Sequence, residues 1–356
     1  MSEIPRYNVA ASWRENLASA PHVESLQPAV AFPGGPWHWC ALPVASPLGI
    51  PAGPLLNGDW ICHYANLGFD ILVYKTVRSA ARDCYPPPNL VPVRTAPLDE
   101  PGQEVPSSAT PQDSWAVSFG MPSVPPADWR GDIRQTRDRL PEGKLLIVSV
   151  VATQDTSLTD PDQGLRQIAE DYAQTARMAV EAGADGIEAN FSCPNVTTSD
   201  GQLYQQPTAA ARVAAAIREA IGDTPLMIKI GHTSCSTHIR QLVDAVAEHV
   251  NGLAMTNSIA ARVRGGDGLL FAGQSRGICG AAIRAASLRQ VEQFAEVISR
   301  FAAGLQIVGV GGIATAAHVR QYLSAGAQSV GIATAAMQNP DVGLQIRRDQ
   351  VSLPPQ

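Results

Sequence analysis

From residue 144 onward the chain alternates two kinds of segment. A stretch with apolar or small residues every three or four positions closes on a glycine, and a short unbroken apolar run follows. Residues 166–182 show it best, with Ala169, Ala173, Ala176 and Val180 on one stripe. Asp160-Pro161 ahead of them offers a capping side chain and a proline suited to a first helical turn. Gly183 closes the helix, and Gly186-Ile187-Glu188-Ala189-Asn190 reads as a strand. The cycle repeats at 208–221 with 226–230, at 237–249 with 252–255, at 288–301 with 306–309, and at 316–324 with 329–332. Upstream, 60–66 followed by 70–74 shows the same order.

Strands alternating with helices through short joins predict parallel βαβ units. At least seven strands in this rhythm favour a closed barrel over an open doubly wound sheet. No G-x-G-x-x-G follows the first strand, which weakens a nicotinamide-type Rossmann reading. The expected fold is therefore α/β, a (β/α)8 TIM barrel over 46–345. An N-terminal extension over 1–45 should pack across the barrel mouth or bottom, and 346–356 should form a tail. Residues 84–126 break the rhythm, hold Pro86-Pro87-Pro88 and show little periodicity. They predict a long Pro-rich active-site loop acting as a lid or substrate loop.

Composition narrows the class. Of 356 residues, 45% are hydrophobic, enough for a large core, and the net charge of -6 argues against a nucleic-acid or anionic-membrane partner. No run approaches the roughly 20 apolar residues that span a bilayer, and the first fifteen lack a signal-peptide core. A soluble cytoplasmic enzyme is expected. The six cysteines are scattered without a C-x-x-C pair, which predicts free thiols, no metal, and an organic group for any redox work.

In a barrel the C-terminal strand ends face the active site. There stand Lys75, residues 190–195, Lys229, Asn257, Gly311-Gly312 and Thr334. Singly, each has an ordinary explanation: a lysine often marks a solvated strand end, and an asparagine a turn. Jointly they set polar or glycine chemistry at the strand ends and almost none in the strand interiors. Gly309-Val310-Gly311-Gly312-Ile313 ends one strand and opens the helix after Thr315, an arrangement suited to a phosphate. In Asn190-Phe191-Ser192-Cys193-Pro194-Asn195-Val196 a thiol lies between two asparagines that can bracket a polar planar ring. Cys193 is a candidate nucleophile or proton-transfer group, beside the plainer reading of a buried inert cysteine, and no adjacent His or acid favours a thiolate.

Across 46–343 the sequence resembles the dihydroorotate dehydrogenase family, including the related catalytic domain of dihydropyrimidine dehydrogenases. The resemblance rests on Ser46-Pro47-Leu48-Gly49-Ile50-Pro51-Ala52-Gly53, Tyr74-Lys75-Thr76, Ser118-Phe119-Gly120-Met121-Pro122, the Asn190–Val196 run, Ile228-Lys229, Thr256-Asn257-Ser258, Gly277-Ile278-Cys279-Gly280 and the run to Ile313. It implies FMN across the barrel mouth. Ala52, Gly53, Lys75, Thr76, Asn190, Lys229, Asn257 and Gly280 would contact the cofactor, with Gly311, Gly312, Ala333 and Thr334 on its phosphate. A small cyclic amide, pyrimidine-like, would meet Lys75, Ser118, Gly120, Met121, Asn190, Asn195, Asn257 and Ser258. Cys193 would be the acid/base group and Lys75 a second catalytic residue. Soluble relatives imply a homodimer.

Some positions depart from that pattern. Val117 stands where the soluble enzymes carry Asn, Asn89 where they often carry Arg, and Ala333 where Gly is usual. The 149–153 stretch lacks the usual Gly. Most of these changes touch the substrate side, so a different pyrimidine or a specialised metabolite stands beside dihydroorotate as a substrate. A phosphate-binding isomerase or lyase, and a non-catalytic FMN-binding protein, are the readings from other classes. With no cysteine cluster the iron–sulfur centres of dihydropyrimidine dehydrogenases are not expected, nor is the amphipathic N-terminal quinone tunnel of the membrane class.

Overall fold

The computed structural model describes residues 4–155, 157–192, 199–302 and 304–351. Eight parallel strands close into a barrel in chain order: Leu48–Ile50, Ile71–Val77, Leu145–Val150, Gly186–Asn190, Leu226–Lys229, Gly252–Met255, Gln306–Val310 and Ser329–Gly331. The eighth pairs with the first, Val330 opposite Leu48. Nearly every strand residue is buried, because one side faces the barrel interior and the other the helices. The expected TIM barrel is the fold observed.

The helices follow the expected stripes, with shifts at their starts. The one expected over 166–182 runs Pro161–Glu181, because the Asp160 carboxylate accepts the Asp162 N–H and Pro161 opens the first turn. Helix Ala316–Ser324 falls where expected, capped by the Thr315 hydroxyl on His318 N–H.

Residues 84–126 are not a structureless loop. They contain the strands Leu90–Pro92, Glu104–Pro106 and Ser114–Val117, which join Ile259–Gly265, Gly268–Leu269 and Arg276–Gly280 in a second sheet over the barrel mouth. Local periodicity could not reveal it, because its pairing is long-range: Val117 sits opposite both Leu90 and Gly277, and Trp115 opposite Cys279. Alternation then sorts the two faces. Val91, Ala116, Ile278, Ala261 and Val263 form a satellite core. Leu90, Trp115, Val117, Gly277 and Cys279 look down on the barrel mouth as a roof.

The N-terminal extension divides: residues 4–9 lie on the mouth side beside Pro92, Trp115 and Met337, and its hairpin plugs the other end. The hairpin, Trp37–Trp39 with Leu42–Val44, drives Trp39 so close beneath the barrel that a Cβ on Gly186 would lie 2.4 Å from its ring. Gln306, opening the seventh strand, clasps Cys40 through both backbone groups. At the same rim the buried Asp70 carboxylate accepts from Lys144 Nζ at 2.5 Å, from the Ser46 hydroxyl at 2.5 Å, and from the Arg347 guanidinium. Arg347 belongs to the helix Val342–Val351, so a boundary at 345 falls inside a helix that is tied to the barrel.

Candidate active site

Two adjoining cavities occupy the space between the C-terminal strand ends and the roof. The first has a cavity volume of about 150 Å³. Its floor carries Lys75, Thr76, Asn190, Lys229, Asn257 and Ser258, with Ala52 and Gly53 at one side. Its upper walls are Leu90, Trp115, Val117, Phe119 and Met337. The second is lined by Gly280, Arg284, Gly311, Gly312, Ala314 and His318. Asn257, Cys279, Val310, Ala333 and Thr334 line both, so the two are continuous.

Strand geometry places the polar groups. Lys229 and Asn190 are the last residues of adjacent strands and stand opposite each other in register. The Lys229 ammonium donates to the Ala52 carbonyl at 3.4 Å and lies 3.9 Å from the Glu188 carboxylate. The Lys75 ammonium sits 4.4 Å from the centre of the Phe119 ring, a cation–π contact. The Asn190 amide donates to Met121 Sδ at 3.5 Å and its carbonyl oxygen accepts the Ser192 N–H. Asn257 donates to the Ser192 carbonyl at 2.7 Å, which pins the chain just before residue 193.

The second cavity depends on its glycines. Gly280, Gly311 and Gly312 all have positive φ, and a Cβ on Gly312 would come within 2.7 Å of the Gly280 carbonyl. Tyr322 braces the Gly311 carbonyl at 2.7 Å, and Arg284 reaches the Gly312 carbonyl at 3.3 Å. His318 Nδ1 accepts the Ala314 N–H, and burial followed by the nearby Arg284 lowers its pKa, favouring a neutral ring with its proton on Nε2. Ala333 is tolerated because its φ is -105°.

The residues present fit FMN. A Cβ on Gly53 would meet nothing within 4 Å, so the first cavity has open room for a flat ring beside it. Two lysines suit a ring that gains negative charge, and the glycine-lined cup with Arg284 suits a phosphate.

Most of the expected site residues are brought together. Ser118 is not among the cavity-lining residues, because alternation along the strand end turns it away and its hydroxyl accepts from Arg276 Nε at 2.8 Å. Asn89 braces the turn instead of facing the cavity, donating to the Tyr85 and Ser118 carbonyls. Cys193 and Asn195 lie outside the described residues. Sequence reasoning missed Leu90, Trp115, Phe119 and Met337, whose inward placement depends on the second sheet and the last turns of chain. It also missed Arg284 and His318, although each stands a few residues after a glycine of the cup. Among the described residues no cluster of His, Cys, Asp and Glu could hold a metal, and no helix is long and apolar enough to cross a membrane.

A closed eight-stranded barrel with its binding cavities at the C-terminal mouth defines a (β/α)8-barrel protein. The dihydroorotate dehydrogenase family model matches residues 38–351. A dihydroorotate dehydrogenase of Dictyostelium discoideum is 29% identical, with 96% of each chain covered. The catalytic subunit of an NAD(+)-type dihydroorotate dehydrogenase B from Staphylococcus carnosus is 31% identical over 50% of this chain and 57% of its own. The crystal structure of an Eimeria tenella DHODH in complex with ferulenol superposes with a TM-score of 0.68 at 17% identity, covering 92% of this chain and 85% of that one, a likeness of fold. The chain belongs to the dihydroorotate dehydrogenase family, and is an oxidoreductase of that type.

Proposed function

We propose that the chain is an FMN-dependent oxidoreductase acting on a C–C bond beside a carbonyl in a small pyrimidine-like amide. The observation that carries this reading is the pair of continuous cavities, one with two buried lysines and one ringed by positive-φ glycines and Arg284. FMN, when bound, would supply two-electron hydride chemistry at one carbon of that bond. Lys75 and Lys229 supply positive charge where negative charge develops. Asn190, anchored by Met121 Sδ and Ser192, and Asn257, anchored on the Ser192 carbonyl, turn their remaining capacity toward the polar edge of the substrate. Phe119, Trp115, Val117 and Leu90 exclude water from above. Cys193, one residue beyond the pinned Ser192, gives or takes the proton on the neighbouring carbon, a role that rests on its sequence position. FMN reaches the protein in the cytoplasm in this reading.

The apolar roof favours a second reading of the substrate. Val117 lines the cavity and offers no hydrogen bond, so a ring less polar than dihydroorotate fits the roof better. One experiment tests both. The purified protein should be yellow with bound FMN, and an anaerobic bleaching screen with dihydroorotate, dihydrouracil and dihydrothymine should identify the ring that reduces it. A colourless protein that takes up no FMN on reconstitution would sink the proposal.

A further inference from the structure

At and just beneath the floor of the first cavity, four neighbouring barrel strands each place one polar side chain in an arc: Thr76, Ser149, Glu188 and Lys229. The register sets Ser149 opposite Glu188, and Glu188 opposite Met227, two residues before Lys229. The Thr76 and Ser149 hydroxyls are 3.0 Å apart, and Ser149 lies close enough to Glu188 to favour its ionised form. Lys229 Nζ completes the arc 3.9 Å from Glu188 Oε1. All four side chains are buried, and Glu188 Oε1 has no hydrogen-bond partner.

A carboxylate buried with one oxygen unpartnered is costly, and a barrel layer needs only apolar volume at such a position. Charge is the property that an apolar residue would not supply here. Among the described residues, the charged side chains lining the first cavity are Lys75 and Lys229, both positive. Asp113, Arg284 and His318 line the second cavity instead. Glu188 is the acid beside Lys229.

We propose that Glu188 is the internal counter-ion of this cavity, a positioning residue that holds Lys229 to the floor and sets the positive charge a bound ring experiences. The proposal rests on the reading of that ring as FMN. Ionised, Glu188 offsets Lys229; protonated, it leaves both lysine charges acting on the ring. Burial, the largest influence, raises the pKa of Glu188, while Lys229 and then Ser149 draw it back. Its carboxyl therefore gains a proton at a higher pH than an ordinary glutamate, and the floor becomes more positive as pH falls.

The test is the midpoint potential of bound FMN in the native protein, Glu188→Gln and Ser149→Ala, measured from about pH 5 to about pH 8.5. At the upper end Glu188→Gln should favour the reduced form by about tenfold, read as a positive shift of about 30 mV for a two-electron couple. The offset should close as pH falls and the native carboxyl is protonated. Ser149→Ala, which removes a hydroxyl that favours the ionised form, should close it at a higher pH and carries the test if Glu188→Gln does not fold. Equal potentials throughout, a negative shift, or an offset independent of pH would overturn the counter-ion while leaving the flavin reading intact. A native protein that binds no FMN would overturn both.

Discussion

Replacing Asp70 with Asn should cost more stability than any change to the surface ion pairs. Asp70 is wholly buried at the barrel's N-terminal rim, between a Lys144 side chain 3% exposed and an Arg347 side chain 12% exposed. Asparagine keeps the volume but turns one acceptor into a donor facing donors, and leaves two buried cations without their counter-charge. Breaking a buried pair in this way costs about 3–5 kcal/mol. With an unfolding entropy of roughly 2.1 cal/mol/K per residue, this corresponds to a fall in Tm of about 4–7 °C for the 356-residue chain.

The deficit should also depend on pH. Burial, the largest influence, lowers the pKa of Lys144 below its ordinary 10.5, although Asp70 raises it again. A lysine with a depressed folded pKa destabilises the fold fully below that pKa, and the loss is relieved as pH rises from there toward the unfolded value. Without Asp70 the folded pKa drops further, so the variant regains more than the native protein between about pH 7 and about pH 9.5. The gap should narrow but not vanish, because Arg347 stays charged. Scanning calorimetry at both pH values provides the check, and Arg14→Ala, whose partner Asp83 is 85% exposed, is the control expected to change little. A Tm drop under about 1 °C, or a gap that widens with pH, would refute the reasoning.

Three further outcomes bear on the mouth. Gly312→Ala places a side chain at φ 66°, 2.7 Å from the Gly280 carbonyl; with about 1–2 kcal/mol of backbone strain, FMN affinity should drop about tenfold by fluorescence titration, and affinity within twofold would refute the cup. Cys193→Ser should keep FMN yet slow substrate-driven bleaching by about a hundredfold near neutral pH, since a hydroxyl is a poorer acid/base group than a thiol; an unchanged single-turnover rate removes the role. Val117→Asn should speed bleaching by dihydroorotate about tenfold through one added hydrogen bond in the roof. Rapid bleaching of the native protein by dihydroorotate would count against that reading of Val117.

Much of this molecule could be read before folding was considered. The helix Ala316–Ser324, the strand Gly186–Asn190 and the glycines of the cup were legible, because helical stripes, apolar runs and positive-φ turns are written in neighbouring residues. The family motifs also placed Lys75, Asn190, Lys229 and Asn257 at strand ends that do meet around one cavity. What only the tertiary structure decided is what distant segments do to one another. Residues 84–126 looked irregular because their strands pair over long separations, 90–92 with 115–117, and 104–106 and 114–117 with 259–280. One residue of strand alternation turned Val117 into the cavity and Ser118 onto Arg276. Glu188 read as one polar residue in a strand until barrel closure set it between Ser149 and Lys229. Local periodicity names an element and its two faces, but which face meets a cavity depends on register, and register is settled only when non-local strands pair.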